Sequence, residues 1–284
     1  MQTATGTEPG DTAMTTGQKP PVLLIHGMWS DADTLRELRD AFAARGYPVT
    51  AVTLPHHAPR AQHTAQSRAA LGRTGLQAYV DFLVDQVRAL DRPPILVGHS
   101  MGGLLAQLVA ARMPCDRLVL LSSAAPAGIN GLGLSVLRTL GRNLLKFPLW
   151  TQATELGLAN VRYGIANAQS DVEQRDITDR CGYESGRVTF ELTLAAFSRR
   201  SPADVAPGHI TCPMLIIGGT EDRITPIRVQ RQIARRYGDR CRLVEIPGCD
   251  HWTVGGRFFG DIEDTVFPWL DQTAAAAESS EGDA

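Results

Sequence analysis

Ile95-Leu96-Val97-Gly98-His99-Ser100-Met101-Gly102-Gly103 reads as a short apolar strand, a tight turn carrying one serine, and a helix that runs from Met101 to about Arg112. Gly98 lies two residues before the serine and Gly102 two after it. Side chains at those two places would collide with the neighbouring strand and helix, so glycine lets the turn close. Such a turn lifts the Ser100 hydroxyl out of the sheet edge, where a histidine can reach it. The helix that starts beside it offers free N–H groups and the positive end of its dipole. A bare G-x-S-x-G is weak, because a Gly-rich helix entry with a surface serine gives the same letters. Here four apolar strand residues precede it, and Leu104, Leu105, Leu108 and Val109 follow at helical spacing.

Working outward, Val22-Leu23-Leu24-Ile25 is a continuous apolar run, the mark of a strand buried on both faces. Ser30 or Asp31 suits the cap of a helix from about Ala32 to Arg45, and Gly46 stops it. Val49 to Thr53 is the next strand, a His/Arg/Gln-rich loop spans His56 to Arg73, and Leu76 to Leu90 is helical. After the serine turn comes another buried strand, Leu118 to Leu121. From Pro126 to Gly208 there are no clear strands; helices are expected at about Leu132–Phe147, near Gln152–Asn160 and at Thr189–Ser198. The strand Met214–Ile217, a helix from Ile227 to Tyr237, the strand Arg242–Ile246 and a closing helix from Phe258 to Leu270 restore the alternation. Strands alternating with helices predict an α/β fold, a mostly parallel sheet covered on both faces. The expected organisation is a core of residues 19–125 and 209–272 and a helical cap, 126–208, over the carboxyl ends of the strands. Residues 1–18 and 273–284 read as loose tails.

Serine needs a base within hydrogen-bond reach to act as a nucleophile. Of seven histidines, His251 follows the last strand in Pro247-Gly248-Cys249-Asp250-His251-Trp252, on the rim that carries Ser100. His26, His56 and His57 are on rim loops too, and His99 sits inside the turn, pointing away from the hydroxyl. The order Ser…Asp/Glu…His favours His251 as base. Asp222, in Gly218-Gly219-Thr220-Glu221-Asp222, is the expected orienting acid, with Glu221 its rival and Asp250 expected to point elsewhere. A turn-forming or helix-capping role before Pro226 is the plainer reading of those carboxylates. Two backbone N–H groups, of Met101 and of Met28, are expected to hold an oxyanion. Their side chains either line the acyl pocket or simply pack in the core. Trp29, His26 and Trp252 are expected at the substrate, although His26 ahead of Gly27 also suits bracing of the oxyanion loop.

His26-Gly27-Met28 after the first strand, the elbow at Gly98–Gly103, Asp222 after the post-cap strand and His251 near the end resemble the α/β-hydrolase superfamily over about Pro21 to Leu270. The resemblance implies a Ser-His-Asp hydrolase with a helical cap. The two strands that commonly open that fold have no counterpart in the short, polar residues 1–20, so a core of about six strands is expected. Serine in place of aspartate at the elbow argues against the dehalogenase and epoxide-hydrolase chemistries of the superfamily. Carboxylic esters are then the leading substrates. Thioesters, lactones, amides, C–C bonds beside a ketone and perhydrolysis use the same parts. A lyase, a cyclase or a ligand sensor on the same scaffold is the alternative of a different class.

Composition narrows the remainder. The 284 residues are 43% hydrophobic, enough for one large domain with an insertion. A net charge of −2 gives no pull toward nucleic acid or anionic membrane. No run reaches transmembrane length, and residues 1–19 lack the apolar core of a signal peptide, so a cytoplasmic monomer or homodimer is expected. Five cysteines without a C-x-x-C suggest neither a disulfide framework nor zinc. No phosphate loop, metal cluster or flavin motif calls for a cofactor. Leucines and basic residues on Leu132–Phe147 read as a packed lid with a solvated face, which suits a small, apolar ester.

Overall fold

The computed structural model describes residues 18–195 and 201–282, so the expectation of a loose segment over residues 1–17 lies outside the described residues. In chain order the first half contains β1 (Val22–Ile25), α1 (Arg36–Ala44), β2 (Val49–Val52), α2 (Ala65–Arg73), α3 (Leu76–Arg88), β3 (Ile95–His99), α4 (Met101–Ala110) and β4 (Arg117–Leu121). An insertion follows, with α5 (Leu134–Leu140), β5 (Ala153–Glu155), the single turn α6 (Leu158–Asn160), α7 (Asp171–Arg180), β6 (Tyr183–Ser185) and α8 (Gly186–Ala195). The chain ends with β7 (Met214–Gly219), α9 (Ile227–Tyr237), β8 (Cys241–Ile246) and α10 (Phe259–Gly282).

Six strands form one parallel sheet in the order β2-β1-β3-β4-β7-β8. The continuous apolar runs explain its place at the centre. Leu23, Ile25, Leu96, Leu118, Leu120 and Ile216 face the layer that holds α3, α4 and α9. Their alternate neighbours, including Val22, Leu24, Val97, Val119 and Leu215, face the layer that holds α1 and α10. Each such side chain is at most 2% exposed and contributes about 1.5–3 kcal/mol through burial. The four central strands, β1, β3, β4 and β7, therefore have no wet face, and their carboxyl rim is left as the place for polar chemistry.

The structure corrects several expectations. The His/Arg/Gln-rich stretch before Leu76 is not all loop: Thr64 and Ser67 form a reciprocal capping box that starts α2. Ser170 and Glu173 do the same for α7, a helix not anticipated. The helix expected over Leu132–Phe147 is only seven residues of α5, because Gly141 turns to φ +52° and a tighter 3-10 turn takes over from Gly141 to Leu145. The insertion is not purely helical either, since β5 and β6 pair antiparallel, Thr154 opposite Glu184. The closing helix runs on to Gly282 rather than stopping near Leu270, so residues 273–282 are helical; the run Ala274–Ala277 has the highest intrinsic helix preference of any residue.

Candidate active site

Ser100 follows β3 directly and stands at φ +55°, a region that L-residues seldom occupy. Glycines make this turn possible by close approach. A Cβ on Gly98 would lie 2.2 Å from the Gly102 carbonyl oxygen, and one on Gly102 would lie 2.1 Å from the Ile25 carbonyl oxygen. On the other side a Cβ on Gly27 would come within 3.0 Å of the Ser100 Cβ. The turn is fixed by Ser100 N–H donating to Leu121 O, 2.9 Å, and by Ala124 N–H donating to Ser100 O, 2.8 Å.

The structure brings three side chains, distant in sequence, into one line. His251 Nε2 is 2.9 Å from Ser100 Oγ, and His251 Nδ1 is 2.8 Å from Asp222 Oδ2. All three residues are buried. Asp222 Oδ1 accepts from the backbone N–H groups of Ile224 and Thr225, 2.8 Å each, while Oδ2 accepts the Thr225 hydroxyl at 2.8 Å. Burial alone would raise this carboxyl, but the His251 charge and the bonds from His251 and Thr225 outweigh it and hold the group below its ordinary value. Asp222 therefore keeps its charge and fixes the imidazole with Nδ1 protonated and Nε2 free to accept. Glu221, its rival, is exposed. Asp250 turns away, accepting from Ala168 N–H at 2.8 Å and from Gln169 Nε2 at 3.0 Å in the insertion.

The two expected oxyanion donors flank the serine. Met101 is the first residue of α4, and Met28 follows the close-packed Gly27. Among the described residues neither backbone N–H has an acceptor. Met101 is fully buried in the core as well as lining the cavity, so its two expected side-chain roles coincide. Trp29 and Trp252 line the same cavity, beside Ser100 and His251. His26 does not. It is fully buried below the loop, where Nδ1–H donates to Gly27 O at 2.8 Å and Nε2 accepts Leu54 N–H at 3.1 Å. Burial lowers it to about 3, so it is a neutral brace rather than a substrate contact.

Thr225 and Glu184 escaped sequence reasoning, and of His99 only its place inside the turn was read. His99 sits beside the serine and donates Nε2–H to the His251 carbonyl at 2.9 Å; burial lowers it to about 3 and keeps it neutral. Thr225 holds Asp222, as above, and its hydroxyl also contacts Ser122 O at 2.9 Å. Glu184, fully buried on β6, joins the insertion to the core. Its carboxylate contacts His57 Nε2 at 3.2 Å and accepts the Tyr79 hydroxyl at 3.0 Å. Burial opposes protonation of His57, but the Glu184 charge and hydrogen bond outweigh it and raise the imidazole above its ordinary value. The His57 and His26 rings meet edge to face, 5.0 Å between centroids, so this pair stands directly behind the Gly27 loop.

The family model of the alpha/beta hydrolase family matches residues 22–257, which takes in every element of the sheet and all three aligned side chains. The chain belongs to the alpha/beta hydrolase family. Relatives of this alpha/beta hydrolase include the pimeloyl-[acyl-carrier protein] methyl ester esterase of Xylella fastidiosa strain M23, 25% identical over 247 residues, 83% of this chain and 89% of the relative. The monoacylglycerol lipase of Mycolicibacterium smegmatis is 23% identical over 268 residues, 88% of this chain and 87% of the relative. Among solved structures, the monoacylglycerol lipase of Paleococcus ferrophilus superposes with a TM-score of 0.64 at 20% identity, covering 90% of this chain and 97% of that one, which shows the shared fold. In general terms the chain is an ester-hydrolase enzyme of this alpha/beta hydrolase family. Among its described residues no helix is long and apolar enough to cross a membrane.

Proposed function

We propose that the chain hydrolyses carboxylic esters of small, largely apolar substrates through an acyl-enzyme on Ser100. The observation that carries this reading is the 2.9 Å and 2.8 Å relay from Ser100 through His251 to Asp222, at the floor of an apolar cavity. In the first half-reaction Ser100 Oγ attacks the ester carbonyl and its proton passes to His251 Nε2. Asp222 stabilises the imidazolium. The N–H groups of Met28 and Met101 receive the developing oxyanion, an interaction present only once the carbonyl becomes tetrahedral. The intermediate collapses as His251 protonates the leaving alcohol. Water then attacks the acyl-serine, gives its proton to His251, and the acid departs with Ser100 restored.

The insertion supplies the cavity roof: Val136, Leu140, Leu156, Ile165 and Leu192 all face it. Among the described residues no lysine, arginine, aspartate or glutamate lines it. A charged acyl or alcohol group there would lose its hydration without gaining a partner, which favours neutral, apolar groups. The esterase and lipase relatives support the ester bond as the target. The test is a series of p-nitrophenyl esters from acetyl to dodecanoyl, with thioesters and lactones alongside, and labelling by a fluorophosphonate probe. Turnover and labelling are expected in the parent chain, with both abolished in Ser100→Ala. A folded parent that is neither acylated by the probe nor active on any ester sinks the proposal.

A further inference from the structure

A second reactive constellation lies at the opposite end of the sheet. Cys115 stands in the loop between α4 and β4, and Cys212 just before β7, with their sulfurs 3.1 Å apart. The sheet register explains the meeting. Leu118 pairs with Met214, and Leu118 N–H donates to Pro213 O at 3.0 Å, so the stretches that enter β4 and β7 run side by side. A disulfide needs the sulfurs to close by about 1 Å, within the reach of side-chain torsions. Cys115 is half-buried, and a surface cavity lined by both cysteines, Arg112, Met113 and His209 brings solvent to them. The two thiols share a hydrogen bond in which either sulfur can donate, and it favours a single thiolate in the pair, lowering the Cys212 thiol and raising that of Cys115. Among the described residues the other three cysteines touch no second thiol, and burial pushes Cys181 and Cys241 up to about 11 and about 12.

We propose that Cys115 and Cys212 form a reversible redox couple that closes to a disulfide by exchange with a small-molecule disulfide such as oxidised glutathione. The Cys212 thiolate attacks one sulfur of the reagent, forming a mixed disulfide and expelling one glutathione thiolate. Cys115, deprotonated in turn, attacks the Cys212 sulfur and expels the second. The protein gives up two electrons and two protons, and the reagent leaves as two thiols. The cross-link spans 97 positions, a ring that contains β4 and the whole insertion, so it constrains a large part of the unfolded chain. Both cysteines precede their strands, whereas Ser100, Asp222 and His251 follow theirs. The couple therefore governs how long the fold persists, not the ester chemistry.

The experiment treats the full chain with oxidised glutathione and reads intact mass under non-reducing denaturation, thiol alkylation and thermal unfolding. The expected result is a loss of two hydrogen masses, two fewer alkylatable thiols, a Tm rise of roughly 5–10 °C and unchanged ester turnover, all reversed by dithiothreitol. Cys115→Ser and Cys212→Ser each abolish the mass loss and the Tm rise, while Cys241→Ser retains both. Treated protein that keeps all its thiols, or that stops at a mixed disulfide, overturns the proposal. So does a Tm rise that survives in Cys115→Ser.

Discussion

Asp222 gathers four hydrogen bonds on one carboxylate, and that concentration makes it testable as a single residue. Asp222→Asn is expected to lower kcat about 10³–10⁴-fold, because an amide at that place favours the wrong imidazole tautomer, with KM changed far less. Its linkage to stability has a definite sign. The folded carboxyl titrates below its unfolded value, so its contribution is full above about pH 4 and is lost as pH falls through the folded value. Urea titrations across acid pH should show that loss in the parent and its absence in Asp222→Asn. The aligned side chains were legible in the sequence because each follows an apolar strand, next to glycines that only a tight rim turn explains. The partners of Thr225 and His99 were not. Their roles depend on where a carboxylate and a carbonyl arrive after folding, in the case of His99 from 152 positions away. For His26 two roles stood open, a substrate contact and a brace of the Gly27 loop, and the Leu54 N–H that turns its ring inward, invisible in the sequence, favours the brace.

At the scale of elements, the β3–α4 turn tolerates no added atom. Gly98→Ala is expected to cost about 3 kcal/mol or more, since its methyl would press on backbone rather than on a flexible side chain. Chemical denaturation compared with the parent measures this, and a loss under about 1 kcal/mol contradicts the packing argument. Elements buried on both faces announced themselves as unbroken apolar runs, and β1, β3, β4 and β7 lay where expected. Short polar helices did not, since α2 and α7 carry little apolar periodicity and start from side-chain caps. The pair β5–β6 was hidden for a different reason. Three residues per strand are too few to show alternation, and Thr154 and Glu184 are polar residues buried by each other's company.

Across the whole molecule the insertion and the core share two dependencies. One is the cavity, where roof and floor meet. Leu140→Trp fills space above Ser100 and should move the best acyl chain several carbons shorter, leaving turnover of acetyl ester within about threefold; the ester series reads both. The other is the buried pair of His57 and Glu184. His57 titrates above its unfolded value, so its stabilising contribution is full below about pH 6.5 and is lost as pH rises through the folded value. The Tm of the parent should therefore fall as pH rises above about 6.5, and His57→Gln should flatten that slope at a lower overall Tm. The six-strand parallel sheet and the interruption after β4 were foreseeable from the rhythm of the chain. The coupling across the interruption was not, because it joins residues 127 positions apart whose spacing has no period.

The bond from the His99 ring to the His251 carbonyl has a mechanical consequence. The residue beside the elbow serine grips the backbone that carries the imidazole, so a single hydrogen bond ties the turn that holds the hydroxyl to the loop that holds the ring, and a change of side chain at position 99 should be felt in their separation.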